Sequence, residues 1–194
     1  MKKRSIALLL LLALLTGCGA KKEEAPWQTA YRETGKYLQE QDTLSAGSVG
    51  GEWAVIGLSR AGLLSDEAAQ SYEQAAEDYV KQADSGRLDR LKSTENSRTI
   101  LGLTAAGYNA ADVAGVDLTS GLSDMNYLRI QGLNGPIWAL IALDCHGYDI
   151  PQCAEGGEQT TRAGLVAEIL TSQCSDGGWT LAGDTADVDM SAMA

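Results

Sequence analysis

Val55-Ile56-Gly57-Leu58-Ser59-Arg60-Ala61-Gly62 is echoed twice further along the chain. The echoes are Ile100-Leu101-Gly102-Leu103-Thr104-Ala105-Ala106-Gly107 and Leu140-Ile141-Ala142-Leu143-Asp144-Cys145-His146-Gly147. Each copy is an apolar helix end followed by a glycine just past the last turn, where a left-handed backbone costs glycine little. The capping glycines fall roughly 40 to 45 residues apart, a period typical of repeat architectures. Between the copies lies further helical sequence: residues 66–82, then weaker signals across 110–113 and 122–130, then 158–173. Each unit therefore reads as a helical hairpin, and residues 190–194 open a fourth apolar helix of the same kind.

Two kinds of helix follow from the pattern. The glycine-capped ones are apolar nearly all round and should be buried. Their partners carry charge on one face. Ser65 is placed to cap a helix whose first turn holds Asp66 and Glu67, where the helix dipole favours carboxylates. Ala68, Ala69, Tyr72, Ala75, Ala76, Tyr79 and Val80 form its apolar stripe, opposite Glu73, Glu77, Asp78 and Lys81. An earlier helix is marked by Trp27, Tyr31, Thr34, Tyr37, Leu38 and Gln41 at spacings of three and four. The glycine-rich stretch Ser45-Ala46-Gly47-Ser48-Val49-Gly50-Gly51 matches neither a P-loop nor a dinucleotide fingerprint, and no strand precedes it, so it reads as a tight connection. The fold class is all-α. Periodicity leaves open whether such hairpins form an open solenoid or close into a ring.

Composition narrows the partners. The chain has 194 residues, enough for one domain with a sizeable core, and carries 26 acidic against 15 basic side chains. Such a surface repels phosphate backbones, so nucleic acid is not an expected partner. The N-terminus reads as an address: Lys2-Lys3-Arg4 is basic, and residues 6–15 are apolar but too short to span a membrane comfortably. Leu15-Thr16-Gly17-Cys18 resembles the lipobox of bacterial lipoproteins. That resemblance implies removal of residues 1–17, which precede the cysteine, lipid on the Cys18 thiol, and a membrane-anchored, extracytoplasmic protein. Residues 19–26 then form a short polar tether, and residues 27–194 the folded part. Cys145, Cys153 and Cys174 remain, an odd number from which no complete disulfide framework follows; Cys145 and Cys153 could close a small loop, or all three could be buried thiols. His146 is the sole histidine. No His/Cys cluster has metal-ligand spacing, so neither a zinc site nor a cofactor is expected.

The end of the chain carries the second informative stretch. Ser172-Gln173-Cys174-Ser175-Asp176-Gly177-Gly178-Trp179 closes a helical pattern in a tight polar turn, after which the tryptophan can fold back onto the helix it has left. Asp187 and Asp189 lie where a new helix would start. The sequence stops inside that apolar run, which reads as an incomplete last helix. Gln173 to Trp179 resembles the glutamine–tryptophan turn of the terpenoid cyclase and protein prenyltransferase superfamily, and Asp187-Val188-Asp189-Met190-Ser191-Ala192 resembles its Asp-x-Asp-Asp-Thr-Ala stretch. Gly47-Ser48-Val49-Gly50-Gly51-Glu52-Trp53 and Leu133-Asn134-Gly135-Pro136-Ile137-Trp138-Ala139-Leu140 are similar to bacterial surface proteins with a prenyltransferase/squalene-oxidase-like repeat. Those in turn are similar to animal cobalamin carriers of the intrinsic-factor type. The resemblance spans about residues 27–194 and implies an α/α toroid of helical hairpins, incomplete at the C-terminus.

The superfamily's chemistry carries over poorly. The resemblance places Asp189 at the proton donor of the cyclases, but Met190 stands where a polarising Asp is needed. The chain has no Phe, and aromatic residues are 6% of it, whereas carbocations require aromatic walls. The zinc ligands of the prenyltransferases are missing. Gly156-Gly157-Glu158-Gln159 has glycine where complement-type thioester domains have cysteine, and Cys153 is too far upstream. Two readings of different class follow. One is a lipid-anchored, non-catalytic toroid that binds a small molecule or surface polymer, a corrinoid being one candidate implied by the resemblance. The other is a cyclase-like enzyme acting on a hydrophobic isoprenoid with Asp189 as the acid. Candidate ligand-binding residues are Glu52, Trp53, Asn134, Trp138, Trp179, Asp187 and Asp189. All lie near the starts of apolar helices, which in a ring of parallel inner helices would converge at one end.

Overall fold

The computed structural model describes residues 25–41, 44–83 and 86–194. The expected signal segment, the Cys18 lipidation position and the tether as far as residue 24 lie outside the described residues. The chain divides into two units, residues 1–36 and 37–194. The described part of the first is most of helix α1 (Pro26–Gln39). Proline occupies its first position, where the missing N–H would have had no helical partner. Trp27 and Tyr31 are exposed on it.

The second unit is all-helical, and β-type pairing among the described residues is confined to isolated bridges. It contains α2 (Val49–Ala61), α3 (Asp66–Val80), α4 (Ser93–Ala105), α5 (Met125–Leu128), α6 (Asn134–Asp144), α7 (Arg162–Thr171) and α8 (Val188–Met193). Helices α2, α4 and α6 are the glycine-capped copies, and α4 packs between α2 and α6. Each ends in the same way. Gly62, Gly107 and Gly147 have φ of 67°, 90° and 69°. The next residue donates its N–H back to a leucine carbonyl in the last turn: Leu63 to Leu58 at 2.9 Å, Tyr108 to Leu103 at 2.9 Å, Tyr148 to Leu143 at 2.8 Å. This is the Schellman arrangement, and the three leucines that accept are buried. Contacts between matching ends show that the three helices run parallel. Glu52 meets Arg98 near the starts of α2 and α4, and the Ser59 hydroxyl donates to the Ala105 carbonyl near their ends at 2.6 Å. The Thr104 and Tyr148 hydroxyls meet at 2.8 Å by the ends of α4 and α6.

One face of this row forms the core. Val55, Ile100, Leu103, Ala139, Ala142 and Leu143 pack with Tyr72, Ala76 and Val80 of α3. Ser65 caps α3 through the Ala68 N–H, as the sequence suggests. The expectation of a hairpin in every unit is corrected between α4 and α6. Residues 110–130 form no long outer helix but a 3-10 turn (Leu118–Leu122), the single-turn α5 and a second 3-10 turn (Arg129–Gln131). Asp117 and Asp124 each cap their own short element, at Thr119 N–H and Asn126 N–H, which restarts the chain twice. Polar side chains replace the missing helix as connectors. Buried Asn96 donates to the Gly86 and Leu118 carbonyls and accepts from the Leu88 N–H. Gln131 accepts from the Thr94 N–H at 2.9 Å, capping α4 from a distant segment.

At the C-terminal end the tryptophan folds back as expected. The Trp179 Nε1–H donates to the Ile169 carbonyl of α7 at 2.7 Å, and Gly177 adopts φ of 93°. Asp187 caps α8 by accepting the Met190 N–H at 2.7 Å. Met190 is buried against Leu133, Ile137 and Ile169. Cys145, Cys153 and Cys174 are free thiols, so the small loop weighed for Cys145 and Cys153 is not closed by a disulfide.

Two glycine substitutions are expected to act in opposite directions. A Cβ on Gly135 would collide with the Leu128 backbone carbonyl, whereas Gly57, inside α2, faces open space. Gly135→Ala should destabilise by about 3 kcal/mol, and Gly57→Ala should stabilise by about 0.5–1 kcal/mol. Urea unfolding monitored by circular dichroism checks both.

Candidate functional site

With the capping glycines in register, equivalent residues of α2, α4 and α6 point the same way. Val55, Ile100 and Leu140 are equivalent, as are Leu58, Leu103 and Leu143, and these turn toward the core. The opposite face carries Trp53, Arg98 and Trp138; then Ile56, Leu101 and Ile141; then Ser59, Thr104 and Asp144; then Arg60, Ala105 and Cys145. All but Arg98 and Asp144 line one open groove of about 530 Å3. The indoles of Trp53 and Trp138 meet in it, centroids 5.5 Å apart and planes tilted by 57°, a favourable aromatic geometry. Trp53 keeps 41% of its surface exposed and Ile141 keeps 37%, so the groove presents apolar area to solvent.

Its polar groups are mostly committed. The Ser59 hydroxyl is bonded to the Ala105 carbonyl, the Thr104 hydroxyl to the Tyr148 hydroxyl, and the Cys145 thiol to the Ala142 carbonyl at 3.1 Å. Burial pushes the Cys145 thiol pKa up, opposed by hydrogen bonding with Thr104 and then by the charge of Arg60. Arg60 is exposed, and its guanidinium makes no hydrogen bond or ion pair among the described residues.

The candidate residues read from sequence separate into groups. Trp53 and Trp138 come together in the groove. Glu52 does not join them: it is fully buried. Its equivalents are Ser97 and Ile137, both buried, so this register position points into the core. The fully buried Glu52 carboxylate accepts the Gly47 N–H at 2.6 Å and the Arg98 Nε–H at 3.2 Å, and Arg98 continues to Glu95 at 2.5 Å. Asn134 is the half-buried first residue of α6; the cap position is Leu133, with no side-chain bond. Trp179 and Asp187 form a second group at the C-terminal turn, joined by the Asp187 N–H to Trp179 carbonyl bond at 2.9 Å. Asp189 is exposed in the first turn of α8.

Sequence reasoning missed Ile56, Arg60, Leu101, Thr104, Ile141 and Cys145. The repeat held the signal: stepping three and then four residues on from Trp53 and Trp138 along each copy reaches most of them. Among the described residues no group of three or more His, Cys, Asp or Glu side chains is placed to hold a metal ion. Likewise no described helix is long and apolar enough to cross a membrane. No family model, curated protein or solved structure matches the chain.

Desolvation raises the Glu52 pKa above the ordinary carboxylate value, against the opposing pull of the Gly47 N–H and the Arg98 charge. The folded state thus holds this proton more tightly than the unfolded chain. The linked stability is present below the unfolded pKa and is lost as pH rises through the folded one. Urea midpoints of the wild type, taken relative to Glu52→Gln, should therefore fall as pH rises from about 4. A difference constant with pH would contradict this.

Proposed function

We propose that this chain is a lipid-anchored extracytoplasmic protein whose helical unit binds a small molecule without transforming it. The observation that carries the reading is the groove across α2, α4 and α6, with Trp53 and Trp138 meeting at equivalent positions of two repeats. A concave apolar wall with few polar groups is the usual form of a ligand site. The toroid is part of the same proposal. Three parallel inner helices, with α3 against their core face, are the arrangement a ring of hairpins would require. The resemblance to prenyltransferase-like surface proteins points the same way, and a corrinoid is one candidate ligand. Anchoring through Cys18 rests on the basic, apolar and lipobox segments of the N-terminus.

A non-catalytic reading is supported at Asp189, whose exposed carboxylate makes no hydrogen bond to any described residue. A strong acid would need a neighbour to polarise its proton.

Two experiments test the proposal. The full chain is exposed to a metabolite mixture, and retained compounds are identified by mass spectrometry. Trp53→Ala/Trp138→Ala should lower the retained amount of at least one compound about tenfold or more, while Asp189→Asn should leave the retained set unchanged. An unaltered set in the tryptophan double variant removes the groove from consideration. Products that vanish with Asp189→Asn would favour the cyclase-like alternative. Separately, Cys18→Ala should abolish incorporation of labelled palmitate, and continued labelling would sink the anchor.

A further inference from the structure

We infer that the groove selects ligands that combine a flat apolar body with a single acidic group, and that Arg60 reads that group. The inference rests on the groove being a binding site and adds the class of ligand. It comes from the inventory of hydrogen-bonding groups that the groove offers.

The hydroxyls of Ser59 and Thr104 and the thiol of Cys145 are each engaged within the protein. Lone pairs on these oxygens and the sulfur aside, what remains are donors. The Trp53 and Trp138 indole N–H groups have no partner among the described residues, nor does the Arg60 guanidinium. An indole N–H and a guanidinium donate and never accept. A ligand that fills this groove must therefore bring acceptors, and an ionised acceptor opposite Arg60 makes the strongest pairing. Charge points the same way. The chain has a formal net charge of −11, and Arg98, Arg129 and Arg162 are each tied to carboxylates. Arg60 is not, although Arg pairs readily with carboxylates and acidic residues outnumber basic ones here.

The remaining surface sets the apolar part. Ile56, Leu101, Ile141 and the tilted indole pair form a wall along the groove, while Arg60 and Cys145 stand in the last turns of α2 and α6. The ligand would lie along the helices, with rings or a chain on the tryptophans and its acid toward Arg60. The volume of about 530 Å3 suits a small molecule rather than a folded partner.

The test uses two probes that share a ring system and differ in charge: 1-naphthylacetate and its neutral amide, 1-naphthylacetamide. Binding to the full chain is measured by equilibrium dialysis, with protein-free detergent as the blank. The acid is expected to bind about tenfold more tightly than the amide. Arg60→Gln, at an exposed position, should erase that preference by bringing acid binding down to the level of the amide. Trp53→Ala/Trp138→Ala should weaken both probes. Equal binding of the two probes to the wild type, or a preference that survives Arg60→Gln, overturns the charge selection and leaves the groove reading standing. If neither probe binds the wild type, both fall together.

Discussion

Three hydrogen bonds of one type set the frame of the second unit. In each, the residue after a left-handed glycine donates to a buried leucine carbonyl five positions back. The bond satisfies a carbonyl that would otherwise be stranded at a helix end, and it ends α2, α4 and α6 at equivalent residues. With the ends in register and the helices parallel, each position along the repeat faces one fixed direction. Core and groove are then opposite sides of the same three rods, separated by the angular spacing of a helix. Without that shared register, Trp53 and Trp138, which lie far apart in sequence, would have no reason to meet.

The interior is not purely apolar, and its polar members explain how an irregular middle section holds. The segments between α4 and α6 are too short to bury a long amphipathic face. Asn96 and Gln131 instead tie loop and 3-10 backbone to α4 by direct hydrogen bonds. Inside a protein such bonds are unopposed by water, and losing one partner leaves the other stranded. Glu52 and Arg98 serve in the same way where the glycine-rich turn meets α2. The Tyr72 hydroxyl lies buried among them with no hydrogen-bond partner among the described residues. Gly102 leaves room for it, since a Cβ there would run into that hydroxyl.

Much of this was legible in the sequence. Helical class, the glycine stops, the Ser65 cap and the fold-back of Trp179 each depend on local rules that a few neighbouring residues satisfy. The helical signals across residues 110–113 and 122–130 yield only a single α-helical turn and 3-10 turns, because Asp117 and Asp124 restart the backbone. Glu52 was grouped with the ligand-binding candidates by its place at a helix start, whereas the structure buries it. Only its register with Ser97 and Ile137 reveals that it points inward. The groove escaped notice for a related reason: its lining is dispersed over three helices, and no single segment looks like a motif. Comparing the copies position by position is what assembles it.

That comparison also separates the core face from the groove face. At two core levels the copies repeat closely: Val55, Ile100 and Leu140, then three leucines in the capping turn. Packing at interior density tolerates little change of volume, which accounts for this uniformity. Toward the groove the copies diverge, with Trp, Arg and Trp at one level and Arg, Ala and Cys at another. Side chains on a half-exposed face can vary in size and charge without opening a cavity in the core. Apart from the core level of Glu52, Ser97 and Ile137, the copies differ chiefly on the groove face, where the Arg60 guanidinium is unpaired among the described residues.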